Sequence, residues 1–566
     1  MSNSRFMLEN GLNKAANVAS LLLELGETLF NAPAKFNAPA NELAPFCFFN
    51  NRRFVMSFKL PSADQVRQIG DELGMELTTE YANGFINYIR PFADGFRQLA
   101  ALPDDVPAVK HKRGAYYRPQ GDENKYGAWI VKTHIKGTPG GRLAGKKVAI
   151  KDTYAIAGVP LTNGASVLEG FVPEFDATIV TRLLDAGAEI VGKSVCEYFS
   201  FSGGAATSTS GPVHNPRAWG HTPGGSSTGS GALVAAGEVD MATGGDQAGS
   251  IRIPASLSGV VGIKPTWGLV PYTGIMGMDP TIDHAGPLTA TAAENALFLE
   301  VMAGEDGYDS RQKGLKLDTY TKAIGQGVAG LKIGVVQEGF GQYDSHPDVD
   351  AGVRAAAEVL ESLGAKVSEV SIPWHPIGIP IWAAIALEGT LHAMVKSPSP
   401  RNVEGVQPIS LMGRLGALHG RANELPDTVK TGMLLAAYTD KYYQGYFYFK
   451  AQNLRRPLRA AYDKVLAEYD LLLMPTTRMM ASKIPPPDAP YEVLMQHSWE
   501  QITNTCPFNI THHPAISLPC GLGEGDRPIG LMLIAKHWQE TTLYRAADAF
   551  ERATNWQTMG ANGRKK

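Results

Sequence analysis

From residue 62 to about 102, apolar positions recur at helical spacing through YANGFINYIRPFADGFRQLAAL, behind a Ser62 placed as an N-cap. A linker rich in Pro, Lys and Asp follows at 103–127. The pattern predicts a helical N-terminal segment over residues 56–125. Beyond it the periodicity changes: an apolar run at 147–151, a helical phrase at 176–186 and a second apolar run at 189–191 alternate as strand, helix and strand. The same alternation returns at 331–336, 348–363 and 366–372. Two such units predict an α/β fold, with a large mixed, mostly parallel twisted sheet flanked by helices and preceded by an N-terminal helical layer. Residues 374–450 are less periodic and carry Trp374, Trp382, Tyr438, Tyr442, Tyr443, Tyr446 and Phe447. Side chains of this kind line small-molecule pockets, but the pattern singles out none of them as a site residue.

Length and composition narrow the reading. The 566 residues are 44% hydrophobic and 19% charged, with a formal net charge of −3. This is the composition of an ordinary globular enzyme, and it offers no basic surface for nucleic acid. We expect one catalytic domain over 126–555. The four cysteines have neither metal-like nor paired spacing, so we expect a reducing, cytoplasmic setting. No uninterrupted apolar run reaches the roughly 18 residues that span a bilayer, and no membrane partner is expected. Residues 1–55 differ from the rest, with the Ala/Pro/Asn phrase NAPAKFNAPA and the acids Glu9, Glu24, Glu27 and Glu42, which a transit peptide would lack. We read them as a non-native or disordered extension before a biological start at Met56, and residues 556–566 as a flexible tail.

Candidate chemistry concentrates in GGSSTGSGALVAAGEVDMATGGDQAGSIRIPASLSGVVGIKPT, which begins at Gly224. Ser226 and Ser250 each stand beside glycines that let backbone approach a ligand closely. Upstream, Lys151 ends the apolar run Val148-Ala149-Ile150. A lysine in water stays charged at neutral pH and is no base, but burial at a strand end disfavours the ammonium form. By composition alone the segment is a Gly/Ser-rich loop crossing the sheet. The coincidence of Lys151, two serines and SIRIP argues for more.

Other motifs mislead. Gly187 to Ser194 spells the phosphate-loop pattern GxxxxGK[ST], but its helix precedes the glycine and AEIV reads as a strand, the reverse of what a phosphate cradle needs. Ser227 sits in a GxSxG phrase without the hydrophobic strand that leads into a nucleophile elbow. Ser310 to Lys313 and Lys430 to Gly432 fit SxxK and KTG, yet the polar triad that should lie between them is missing. His512-His513 has no third metal ligand at a useful spacing and reads as a structural pair.

The Gly/Ser segment with Lys151 resembles the amidase signature hydrolases, whose Ser-Ser-Lys triad sets a lysine at a strand end, a serine in a GGSS turn and a nucleophile in a GGSIRxP turn. The likeness runs from about Gly141 (GRLAGKKVAIKD) through AGAEIVGKS, KPTWGLVPYTG and DLLLMPTT to NTCPFNITHHPAISLP. It implies Lys151 as base, Ser226 as bridging serine and Ser250 as nucleophile. The backbone N–H groups of Gln247, Ala248, Gly249 and Ser250 would form the oxyanion hole, with Gly225, Ser227, Asp246 and Arg252 as supports. It also implies a cis peptide before Ser226 and no cofactor or metal. Thr228 stands where glycine is usual, and GGDQAGS replaces GTDTGGS. The Gln247 wording, with LVPYTG, TIDHAGP and QEGFG, resembles the bacterial enantioselective amidases that accompany nitrile hydratases and hydrolyse simple carboxamides. The resemblance therefore implies hydrolysis of a monocarboxylic acid amide to acid and ammonia by a homo-oligomer, expected to be a dimer. Its alternatives are an aryl acylamidase or carbamate hydrolase, the glutamine-hydrolysing component of a tRNA amidotransferase, and a non-catalytic amidase-like binding module.

Overall fold

The computed structural model describes residues 47–50, 53–396 and 403–560. The chain divides into two compact units, Met1–Leu102 and Pro103–Lys566. In the first, β1 (Cys47–Asn50) and β2 (Arg53–Met56) pair as an antiparallel ribbon, followed by helices α1 (Ala63–Glu72), α2 (Thr79–Tyr88) and α3 (Arg90–Ala101). Ser62 caps α1 through a full capping box: its hydroxyl accepts from the Gln65 N–H, and the Gln65 side chain accepts from the Ser62 N–H. The Thr78 hydroxyl caps α2, accepting from the Tyr81 N–H. The expectation about residues 1–55 falls mostly on 1–46 and 51–52, which lie outside the described residues. The helical segment ends earlier than 125, because Pro103 onwards belongs to the second unit and carries only the short strand Tyr116–Tyr117 and one 3-10 turn before residue 125.

The second unit is built on one 12-stranded sheet. Its strands are β3 (Tyr116–Tyr117), β4 (Trp129–Lys136), β5 (Lys147–Lys151), β6 (Glu189–Ser194), β7 (Met241–Asp246) and β8 (Val261–Lys264). They continue as β9 (His284–Thr289), β10 (Lys332–Val336), β11 (Lys366–Val370), β12 (Leu471–Pro475), β13 (Ala515–Leu522) and β14 (Pro528–Ala535). Across the sheet they run β11-β10-β12-β14-β13-β8-β9-β7-β5-β6-β4-β3. Two βαβ crossovers read from the sequence are present, and each gives a parallel pair, β5 with β6 and β10 with β11. The sheet is α/β and mixed, but not mostly parallel. Parallel pairing is confined to β11-β10-β12 and β7-β5-β6, while the hairpin β13–β14 and the pairings of β8 and β9 are antiparallel. Several of these antiparallel joins link segments far apart in sequence, where local periodicity carries no direction.

Strands β7, β12 and β14 are buried along their whole length, as continuous apolar or glycine runs covered on both faces must be. The phosphate-loop phrase lies where its pattern suggested, with helix α4 (Thr178–Asp185) before it and its inner residues in β6. Its Lys193 is fully buried in an ion pair with Asp152 at 2.8 Å. Residues 556–560 are not a loose tail: Met559 is buried, the Leu522 N–H donates to its carbonyl, and the Trp556 ring fills the space beside the left-handed Gly259. Residues 561–566 lie outside the described residues. Among the described helices, His375–Lys396 alone has the length and apolarity to cross a membrane, although Glu388 interrupts its apolar run. It is a core helix, with 61% of its most apolar window buried inside the protein.

Candidate active site

Strands β5 and β7 are parallel neighbours, so Lys151 and Asp246 leave the sheet at the same edge. Ligands of open α/β sheets gather outside the carboxyl ends of strands, and the predicted residues converge there. The Lys151 N–H donates to Thr243 Oγ1 at 2.9 Å, which pins the strand end. Its Nζ donates to Ser226 Oγ at 2.8 Å and to the Gly245 carbonyl at 3.4 Å. Lys151 is wholly buried, and burial pushes its pKa down to about 8 against the weaker upward pull of Cys196, Asp246 and Glu197.

Ser226 lies just before helix α5 (Thr228–Ala235), and the Gly225–Ser226 peptide is cis. A side chain at Gly225 would stand 3.0 Å from the Ser202 carbonyl and 3.2 Å from Glu197 Cγ, so glycine keeps this turn free of tight contacts. Ser227 is turned to other partners than the lysine: its hydroxyl exchanges hydrogen bonds with the N–H and C=O of Gly245, both at 3.3 Å. Ser250 is 7% exposed. Its hydroxyl makes no hydrogen bond to Ser226 among the described residues, so only the first link of the implied relay is formed.

The turn from Gln247 to Ser250 presents its amides and ties back its carbonyls. Among the described residues, none of these four N–H groups donates to another protein group. The Gln247 carbonyl accepts from Trp382 Nε1 at 2.7 Å, and the Ala248 carbonyl accepts from Thr505 Oγ1. Trp382 stands on helix α6 (Gly378–Thr390), and with Trp499 and Phe201 it forms an aromatic cluster whose ring centroids lie 5.9 and 4.9 Å apart in successive pairs. Gly249 has φ +138, and a side chain there would lie 2.3 Å from Thr505 Oγ1, so no other residue fits.

Asp246 and Arg252 support this turn as a buried pair. Arg252 Nε and NH2 donate to the two carboxylate oxygens at 3.0 and 2.9 Å. The Ile251 N–H donates to the same carboxylate, and Asn509 Nδ2 donates to both the carboxylate and the carbonyl of Asp246. Burial alone would raise the Asp246 pKa, yet Arg252 and these bonds hold it well below the usual carboxylate range. The acid therefore stays ionised and fully occupied, unable to serve as a base.

A cavity of about 160 Å³ opens beside this machinery, lined by Phe171, Phe175, Tyr272, Met276, Met394 and Leu411 among others. Tyr272 joins it to the turn, since Gln247 Nε2 donates to Tyr272 Oη at 2.7 Å. Sequence reasoning missed Trp382 as a site residue, along with Thr505, Asn509 and Tyr272. Tyr272, Thr505 and Asn509 fall inside the phrases KPTWGLVPYTG and NTCPFNITHHPAISLP, but no local signal gives them a role there, and Trp382, Thr505 and Asn509 reach the turn across 135 to 263 residues of chain.

Residues 108–544 match the protein family described as Amidase. The chain belongs to the amidase family. It is 44% identical over 505 residues to an enantioselective amidase of Rhodococcus rhodochrous, covering 87% of this chain and 96% of that one. Among solved structures it resembles a glutamyl-tRNA(Gln) amidotransferase component from Thermotoga maritima, with TM-score 0.65, 31% identity, and coverage of 79% of this chain and 91% of that one. A bacterial aryl acylamidase of the amidase signature family also has TM-score 0.65, at 26% identity over 77% of this chain and 90% of that one. This protein is an amide-hydrolysing enzyme on a mixed α/β fold.

Proposed function

We propose that this amidase converts a monocarboxylic acid amide and water into the acid and ammonia through an acyl-enzyme on Ser250. The observation that carries the reading is the buried contact between Lys151 Nζ and Ser226 Oγ beside a turn with four undonated amides. In its neutral form Lys151 accepts the Ser226 proton as Ser226 takes that of Ser250. Substrate binding turns the Ser250 hydroxyl toward Ser226 and completes this relay. Ser250 Oγ then attacks the carbonyl carbon, and the oxygen charge that develops meets the N–H groups of residues 247–250. As the C–N bond breaks, Ser226 delivers its proton to the departing nitrogen and recovers one from Lys151. Water attacks the resulting ester by the same relay, releasing the acid and restoring Ser250. No step requires a metal or cofactor.

The cavity against Tyr272, walled by Phe171, Phe175, Met276, Met394 and Leu411 but also carrying Asp283 and Arg311, would hold the acyl group. The similarity to an enantioselective amidase supports simple carboxamides as substrates, ahead of anilides, carbamates or glutamine delivered to a partner complex. We further propose a cytoplasmic homodimer; the described cysteines of the second unit, Cys196, Cys506 and Cys520, are free and buried, as a reducing compartment allows. A panel of aliphatic, aromatic, anilide and glutamine amides scored for ammonia or amine release by the purified chain alone tests the substrate class. Turnover restricted to anilides, or dependent on added partner proteins, would overturn it. Light scattering tests the dimer.

A further inference from the structure

The sequence offers His512-His513 without a third ligand, and the fold supplies two. Asp463 on helix α7 (Tyr446–Leu466) and His537 after β14 come to His513 so that one ligand atom from each lies within 4.8 Å of the others. We infer that Asp463, His513 and His537 form a site for a borderline divalent cation such as Zn2+. His512 is not part of it: its ring stacks on Trp267 at 4.7 Å and its nitrogens face Arg455, Arg459 and the Thr281 carbonyl.

Tautomers carry the argument. His537 Nε2 lies 3.0 Å from the Thr511 carbonyl, which only accepts, so this nitrogen carries the proton. The ring's Nδ1 faces Asp463 Oδ1 at 3.9 Å, too long for a direct hydrogen bond and wide enough for a cation between the two atoms. His513 Nε2 lies 3.0 Å from the same carboxylate oxygen, and its Nδ1 lies 3.0 Å from Thr511 Oγ1. A hydroxyl both donates and accepts, so Thr511 allows His513 to move its proton to Nδ1 and release Nε2 for a metal. One residue thus orients both imidazoles, as the outer partners of metal-bound histidines do.

The donor set also matches. Two imidazole nitrogens and one carboxylate oxygen suit zinc, and Asp463, 51% exposed, leaves the remaining position to water. The nearby arginines do not occupy the carboxylate: Arg455 donates to the Ile510 and Thr281 carbonyls, and Arg459 Nε to the Thr511 carbonyl. Their positive charge weakens cation binding without blocking it. A bound ion would clip together α7, the turn at residues 511–513 and the chain after β14.

The test uses the untagged full-length enzyme, stripped with chelator, re-equilibrated with Zn2+ and gel-filtered before elemental analysis. One zinc per chain is expected, with a matching ligand-field spectrum for Co2+ and a higher melting temperature on loading. His537→Ala and Asp463→Asn should lose the ion while keeping amide hydrolysis, which also reports that they fold. Thr511→Val should weaken binding by about 10–100-fold. Zinc content no higher in the wild type than in these variants would overturn the proposal and leave a structural ion pair only. So would zinc retained undiminished by both ligand variants.

Discussion

Replacing Lys151 by Met isolates the charge on which the proposed chemistry turns. Burial lowers the lysine pKa from 10.5 to about 8. At pH 7 roughly a tenth of folded molecules then carry the neutral amine, against about one in three thousand for an exposed lysine. The same displacement is a folding penalty of about 3 kcal/mol, because the unfolded chain holds the proton more tightly. It is full below about pH 8, fades as the pH rises and vanishes above 10.5. Lys151→Met removes this penalty and loses a hydrogen bond worth about 1 kcal/mol. The variant should therefore gain about 2 kcal/mol at pH 7 and lose about 1 kcal/mol above the ordinary lysine pKa. Its kcat should fall by about 10²–10⁴ or more. Thermal melts at neutral and alkaline pH measure the first effect, and initial rates of ammonia release the second. In the wild type, kcat/KM should climb about tenfold per pH unit toward 8 and level off above it. A less stable methionine variant at pH 7, or a wild-type rate already level from about pH 6, would rule out a buried Lys151 with a lowered pKa as the base.

Other variants separate the remaining parts. Ser226→Ala breaks the relay while leaving the nucleophile, so kcat should drop by about 10²–10⁴ with little change in substrate affinity, as single-turnover rates would show. Trp382→Phe leaves the Gln247 carbonyl buried without its donor and loosens the turn; about a tenfold loss of kcat is expected, read as about 1.4 kcal/mol from kcat/KM. Asp246→Asn strands the buried Arg252 charge and should destabilise the fold by about 3–5 kcal/mol, visible as a lowered melting temperature.

The residues that carry local signals were legible in the sequence. Ser62 stands three residues before Gln65 and caps its helix, and Lys151 closes an apolar run that is a strand. The helix before Gly187 correctly argued against a phosphate loop, and Lys193 is instead a core ion pair. What escaped was set by distant partners. Strand direction at β8, β9, β13 and β14 depends on which segments meet, and periodicity says nothing of that. Trp382, Thr505 and Asn509 matter only because the fold brings their side chains to a turn far away in sequence. His513 lacked a third ligand in the sequence because Asp463 and His537 flank it only in space.

In the proposed mechanism Ser250, and no other serine of the segment, is the nucleophile. Treating the enzyme with a fluorophosphonate and mapping the adduct by peptide mass spectrometry tests it most directly. One adduct is expected, on Ser250, formed faster as the pH rises toward 8 and slowed severely by Lys151→Met. An adduct on Ser226 or Ser227, or labelling of Ser250 at an unchanged rate without the lysine, would contradict it.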